Sequence, residues 1–194
     1  MAGVKLQRQR DRSGRNACSQ ASWSFGQTSA QNSAWATVPE FSAKGDNVAD
    51  VTPHIVVRDA ARAAEWYERA LGAKVGSRIP VPDGRFMQIE LAFGDSRVMI
   101  ADEFPEFDAV SPLTLGGTYG ALTITTNAVD ELWERALAEG AQVHSPLQDA
   151  FWGERHGQII DPFGHRWGLA QHLEDVPHDE VVRRAAEMFG GAAS

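Results

Sequence analysis

The side chains able to hold a metal ion or move a proton are scattered singly along the chain: His54, Glu90, Asp102, His144, Glu154, His156, His165 and His172. Strand alternation puts Gln88 and Glu90 on one face, with Met87, Ile89 and Leu91 on the other. By the same rule His156 and Gln158 share a face opposite Ile159 and Asp161. His54 and His156 belong to different halves of the chain, so a pairing across two sheets is one route to a site. The competing reading of each lone histidine is a hydrogen-bonded structural residue. His165 and His172, flanking a hairpin and a strand exit, suit that role best. Phe86, Tyr119, Phe151, Trp152 and Trp167 are the aromatic candidates for pocket walls, against ordinary core packing. The candidate ligand-binding set is therefore His54, Glu90, Tyr119, Trp152, His156 and Trp167.

Other chemistries lack their residues. There is no Gly-x-Ser-x-Gly elbow, no P-loop and no dinucleotide fingerprint after a strand. The single cysteine, Cys18, precludes a disulfide framework and a Cys-rich zinc module. Gly116-Gly117-Thr118 reads as a turn between modules rather than a phosphate cradle. No carboxylate pair for acid–base work stands out by spacing.

The elements that must position these residues begin at Val51. Residues 51–58 are β-rich, and Asp59 is placed to cap a helix through about Leu71. Ala63, Trp66, Tyr67, Ala70 and Leu71 fall on one helical stripe. Strands are expected at 74–81, 85–93 and 97–101, separated by Pro82-Asp83-Gly84 and Gly94-Asp95. Residues 102–117, with Pro105 and Pro112, read as a linker. Then the order repeats: a strand at 119–126, a helix capped by Asn127 and ending near Gly140, and strands near 141–145, 155–161 and 165–171. Val129, Leu132, Trp133, Ala136 and Leu137 repeat the first stripe at a fixed spacing. Glu68-Arg69-Ala70-Leu71 recurs at that spacing as Glu134-Arg135-Ala136-Leu137. That coincidence marks an internal duplication of a βαβββ module. A final helix is expected at about 178–189, with Val181, Ala185, Met188 and Phe189 giving it an apolar side for the body or a second subunit.

The domain reading is a basic, loosely attached tail at 1–48, a domain at 49–175 and a C-terminal helix and tail at 176–194. Within the domain, module one spans 51–101 and module two 118–172. The fold class is α+β, two tandem βαβββ modules whose mixed sheets curl round a cleft. Ala64-Glu65-Trp66-Tyr67-Glu68-Arg69-Ala70-Leu71-Gly72-Ala73 and Asp161-Pro162-Phe163-Gly164-His165 carry a family likeness. Over about residues 51–175 the chain resembles the vicinal oxygen chelate superfamily, which includes glyoxalase I, bleomycin-resistance proteins and extradiol dioxygenases. The segment from Phe151-Trp152-Gly153 to His165-Arg166-Trp167 looks like its poorly characterised glyoxalase-like branch.

The resemblance implies four metal-ligand positions, on the first and fourth strand of each module. Carried across, they fall on His54, Met99, Gly120 and Gly168, so one ligand of four survives. A thioether and two glycines do not hold the hard or borderline ions of this chemistry. The expectation is a member without the inherited metal site and without a cofactor. The alternative is a lyase or dioxygenase-type enzyme whose divalent ion uses relocated ligands around His54. The resemblance also implies a homodimer.

Composition bounds the partners. The 18 basic and 26 acidic residues divide unevenly. Six basic and three acidic residues lie in 1–48, leaving the tail at +3 and residues 49–194 at −11. An acidic body disfavours nucleic acid and favours a cationic small molecule. No apolar run approaches the roughly 20 residues of a membrane span, so no membrane partner is expected and the cytoplasm is the default location. The tail is basic and acid-poor like an organellar transit peptide, although Asp11 and the lack of an amphipathic helix argue against that. A start codon assigned too early is the simpler account. The leading reading is a protein that binds a small, possibly cationic aromatic molecule in the sheet cleft. The sequence does not decide between binding and catalysis. A partner-binding module using the tail as its arm is the third reading.

Overall fold

The computed structural model describes residues 51–118 and 120–190, so the tail 1–48 and Tyr119 lie outside the described residues. β1 is short, His54–Val57, and leads into a helix whose start and stop are set by local chemistry. Asp59 sits in extended backbone, and its carboxylate accepts from the Arg62 N–H at 2.9 Å. That satisfies one donor which a helix start otherwise leaves orphaned. α1 runs Ala60–Leu71 and stops at Gly72, whose φ of 73° is a left-handed conformation that favours glycine. The whole predicted stripe from Ala63 to Leu71 is buried. β2 (Lys74–Pro80), β3 (Phe86–Phe93) and β4 (Ser96–Asp102) follow at the predicted places.

The linker is more structured than its prolines suggest: it holds a 3-10 turn at Pro105–Phe107 and the single-turn α2, Pro112–Leu115. Module two then comprises β5 (Ala121–Thr125), α3 (Val129–Ala138), β6 (Gln142–Asp149), β7 (Glu154–Ile160) and β8 (Arg166–His172). α4 covers His178–Gly190, with Val181 and Ala185 half-buried and Met188 and Phe189 exposed. Asn127 does not cap α3. The capping position is Ala128, without a side-chain bond, and the Val129 N–H is instead taken by Gln171 Oε1 at 3.2 Å.

The architecture is α+β, with two four-stranded mixed sheets ordered β1-β4-β3-β2 and β5-β8-β7-β6. β1 lies parallel to β4 and β5 parallel to β8, while all other pairs are antiparallel. The strand register also fixes the repeat. His54 pairs with Met99, and 69 residues later Thr123 pairs with Gly168. Asp102 Oδ1 accepts from the first N–H of α1, at Ala60, and 69 residues later Gln171 does the same for Val129 of α3. The helical stripes repeat three residues sooner: Val129, which matches Ala63 in the stripe, is the first residue of α3, whereas Ala63 is the fourth of α1. The strand equivalent of His54 is therefore Thr123, and Gly120, expected in that place, precedes β5.

Ile89, Leu91, Val98 and Ile100 of the first sheet and Ile159, Trp167 and Leu169 of the second join both helices in one core. The helices are sewn together by polar ends. The Trp66 indole N–H donates to Glu139 O at 2.8 Å, and Arg135 Nε donates to Ala70 O at 3.0 Å. Asp161 is the buried junction of the two modules. Its Oδ2 accepts from the Tyr67 hydroxyl at 2.7 Å and from the Trp167 indole at 2.9 Å, while Oδ1 accepts from the Phe163 and His165 N–H groups. Four donors compensate the cost of burying that carboxylate. Burial, with the Asp161 charge beside it, pushes the Tyr67 hydroxyl well above its ordinary pKa.

Candidate ligand-binding site

The sheet faces opposite the helices carry three of the six predicted site residues, His54, Glu90 and His156. On the first sheet the register lines up His54, Met99 and Glu90 across β1, β4 and β3. His54 is exposed. The Glu90 carboxylate accepts from Ser77 Oγ at 3.2 Å and faces Arg97 at 3.4 Å. On the second sheet the same row is Thr123, Gly168 and Gln158. Gly168 is there because nothing larger fits: a Cβ would meet Thr123 Oγ1 at 2.8 Å and His156 Nε2 at 3.3 Å. The imidazole of His156 thus lies over a floor left low by glycine.

A polar aromatic corner adjoins that floor. The Trp152 indole N–H donates to Glu154 Oε2 at 2.8 Å, and its ring meets His156 edge-on with centroids 5.7 Å apart. Phe151 packs on Trp152 at 5.0 Å. Trp152 remains 38% exposed, beside the half-buried Glu154 and His156. The corner is held from behind by the chain leaving β8. Gly153 O accepts from the Leu173 and Glu174 N–H groups, and a Cβ on Gly153 would lie 2.3 Å from Glu174 O. Arg184 of α4 adds a bond to Phe151 O at 3.1 Å. Trp167, expected as a wall of the same site, stands on the helix side instead, with its indole on Asp161. It closes the inner end of a separate cavity of about 850 Å³ between the start of β4 and β5.

The four positions where the fold family places metal ligands hold His54, Met99, Thr123 and Gly168. One imidazole, one thioether, one hydroxyl and no fourth donor do not fit a hard or borderline divalent ion. Among the described residues no group of three or more His, Cys, Asp or Glu side chains is placed to hold one. His144 and His172 are exposed; His172 Nε2 lies 3.2 Å from Asp175 at the strand exit.

The sequence model of the Glyoxalase/Bleomycin resistance protein/Dioxygenase superfamily matches residues 46–169. The chain belongs to that superfamily. The uncharacterized protein Rv0887c of Mycobacterium tuberculosis is 39% identical over 134 residues, covering 68% of this chain and 79% of its own. Among solved structures, protein PA1353 of Pseudomonas aeruginosa superposes with a TM-score of 0.55 at 21% identity, over 66% of this chain and all of its own. TnmS3, an antibiotic binding protein from Streptomyces sp. CB03234, gives a TM-score of 0.50 at 23% identity over 66% of this chain and 99% of its own. Both structures share the superfamily fold.

Thr123 and Gln158 are the site residues that sequence reasoning passed over. The signal for Thr123 was present in Ile55 and Ile124, and in Arg97 and Arg166, which coincide at the 69-residue spacing of the strands. Gln158 shares the row because β7 pairs it with Gly168.

Proposed function

We propose that this superfamily member binds a small cationic aromatic molecule on the sheet faces, with the Trp152–Glu154–His156 corner reading the cation. The observation that carries the reading is this corner beside a glycine floor, where a metal-dependent relative needs ligands. Glu154 keeps lone pairs beyond the one that Trp152 engages, and the exposed indole offers a π-face to a ring or an ammonium. The −11 charge of residues 49–194 draws cations towards it and repels nucleic acid. His54, Glu90 and Tyr119 are further contacts, and a second copy of the chain completes the cleft in a homodimer. The work needs no divalent ion or other cofactor. Among the described residues no helix is long and apolar enough to cross a membrane, and the cytoplasm is the proposed location. That TnmS3 is an antibiotic binding protein supports the reading by fold analogy alone.

Calorimetric titration with ethidium, a planar aromatic cation, tests the corner. Trp152→Ala and Glu154→Gln are each expected to weaken binding by about three- to thirtyfold, the scale of one desolvated cation–π or charged contact. Equal affinity in both variants, or one tightly held metal ion per chain after purification without chelator, would overturn the reading.

A further inference from the structure

β1 and β5 are each an outer edge of their sheet, and the other module meets the two edges differently. In a parallel pair, alternate residues turn both backbone groups to the partner strand and the rest turn them away. Pro53 O accepts from the Met99 N–H, so Pro53, Ile55 and Val57 face β4, and His54 and Val56 face outward. Thr126 N–H donates to Ala170 O, so Leu122 and Ile124 face β8, and Thr123 and Thr125 face outward. Val56 and Thr125 are equivalent at the 69-residue spacing. At Val56 the outward carbonyl is covered: His165 Nε2 reaches it from the β7–β8 hairpin at 2.9 Å. The residue equivalent to His165 is Ser96, at the start of β4, and its side chain is too short to do the same.

The result is the 850 Å³ cavity, lined by Ser96 and by the whole of Leu122–Thr125. Its inner wall is apolar: Phe93, Val98 and Trp167. Its other wall is a strand edge which, among the described residues, pairs with no other strand. We propose that this cavity is a second small-molecule site, separate from the sheet-face corner, for an extended amide-bearing molecule with apolar side groups. Backbone amides of such a peptide-like ligand pair with the N–H and C=O groups of Thr123 and Thr125, and an apolar group enters against Phe93 and Trp167. An edge strand supplies affinity through main-chain bonds, and the adjoining pocket supplies selectivity. The volume lies within the range of small-molecule sites.

The probe is the blocked tripeptide N-acetyl-Leu-Phe-Leu-amide, added to the full chain and followed by amide NMR. The expected result is saturable shifts at Leu122–Thr125 and slowed hydrogen exchange at the Thr123 and Thr125 N–H groups. Ser96→His, which installs the opposite end's residue, is expected to weaken the probe by about tenfold or more, while Ser96→Ala leaves it unchanged. Thr125→Pro serves as a second variant, since it removes an outward N–H that no described strand uses and proline is tolerated at such an edge. It should abolish the slowed exchange. Glu154→Gln should leave the tripeptide unaffected while weakening ethidium, which separates failure of this site from failure of the corner. Absence of shifts at millimolar probe, or equal affinity in wild type, Ser96→His and Thr125→Pro, would overturn the proposal.

Discussion

Module one and module two share a plan, yet they fill equivalent places with opposite sizes. Ile89 pairs with Ile100 in the first sheet, and Gly157 pairs with Leu169 in the second. Above them, at the spacing of the helix caps, Ala64 of α1 gives way to Trp133 of α3. A Cβ on Gly157 would lie 2.6 Å from the Trp133 ring and 2.8 Å from the Leu147 backbone. Large below and small above in one module becomes small below and large above in the other. The hairpins differ in kind rather than size: Phe93 packs on Trp167 with centroids 5.7 Å apart, and its equivalent Asp161 hydrogen-bonds to that tryptophan instead. Between Gly157 and Trp133 the filling volume passes from the sheet to the helix, as close-packed interiors require.

The sharpest way to break this comparison is Asp161→Ala, which leaves the buried Tyr67 hydroxyl and Trp167 indole without partners. A loss of about 3–5 kcal/mol in urea unfolding is expected, because several donors are orphaned at once. Gly157→Ala should cost about 1–3 kcal/mol through overpacking against Trp133. In the double variant Trp133→Ala with Gly157→Ile, which copies module one, a double-mutant cycle should show that part of the loss due to the Trp133 ring relieved, with the Leu147 backbone contact left; strictly additive losses would show that the sizes are not traded. His165→Ala should cost about 1 kcal/mol, one hydrogen bond, and open at Val56 the same kind of gap that exists at Ser96.

Tyr67 adds a pH dependence. Burial and the Asp161 carboxylate raise its pKa, so the folded chain keeps a proton that the unfolded chain releases above about pH 10. The stability this contributes is complete below that pH and falls as pH rises beyond it. Tyr67→Phe should flatten the alkaline limb of stability against pH. The smallest effect is expected from Arg69→Ala, whose pair with Glu139 at 3.1 Å is solvent-exposed and worth about 0–1 kcal/mol.

Most of the fold was legible because helix stripes, Asp59 and the turn glycines act locally. The site was less so, for a reason that Thr123 makes plain. The stripes and the strands repeat at spacings three residues apart. In a helix three residues are nearly one turn, so the apolar side stays where it was. In a strand three is an odd number, so the same slip turns every side chain to the other face. Gly120 was therefore read where Thr123 stands. Trp167 shows a related limit: an aromatic residue on a strand has two faces to choose from, and the buried Asp161 acceptor holds it on the helix side, where it walls the cavity beside β5 rather than the Trp152 corner. Trp152 was legible as an aromatic. Its partnership with Glu154 depends on a tight corner that glycine and the Leu173–Glu174 backbone create from a distant stretch of chain.

The Tyr67–Asp161 bond also orders events in time. A ribosome delivers the chain from its amino end, and the first sheet is complete once Asp102 has emerged. The Tyr67 hydroxyl, already in the polypeptide, must wait for a carboxylate 94 residues further on. Until that residue arrives, the older half of the protein carries a polar group with no buried partner and an open flank of Trp66 and Tyr67. The first module to be synthesised thus stays unfinished until most of the second has emerged, and the second acts as its seal.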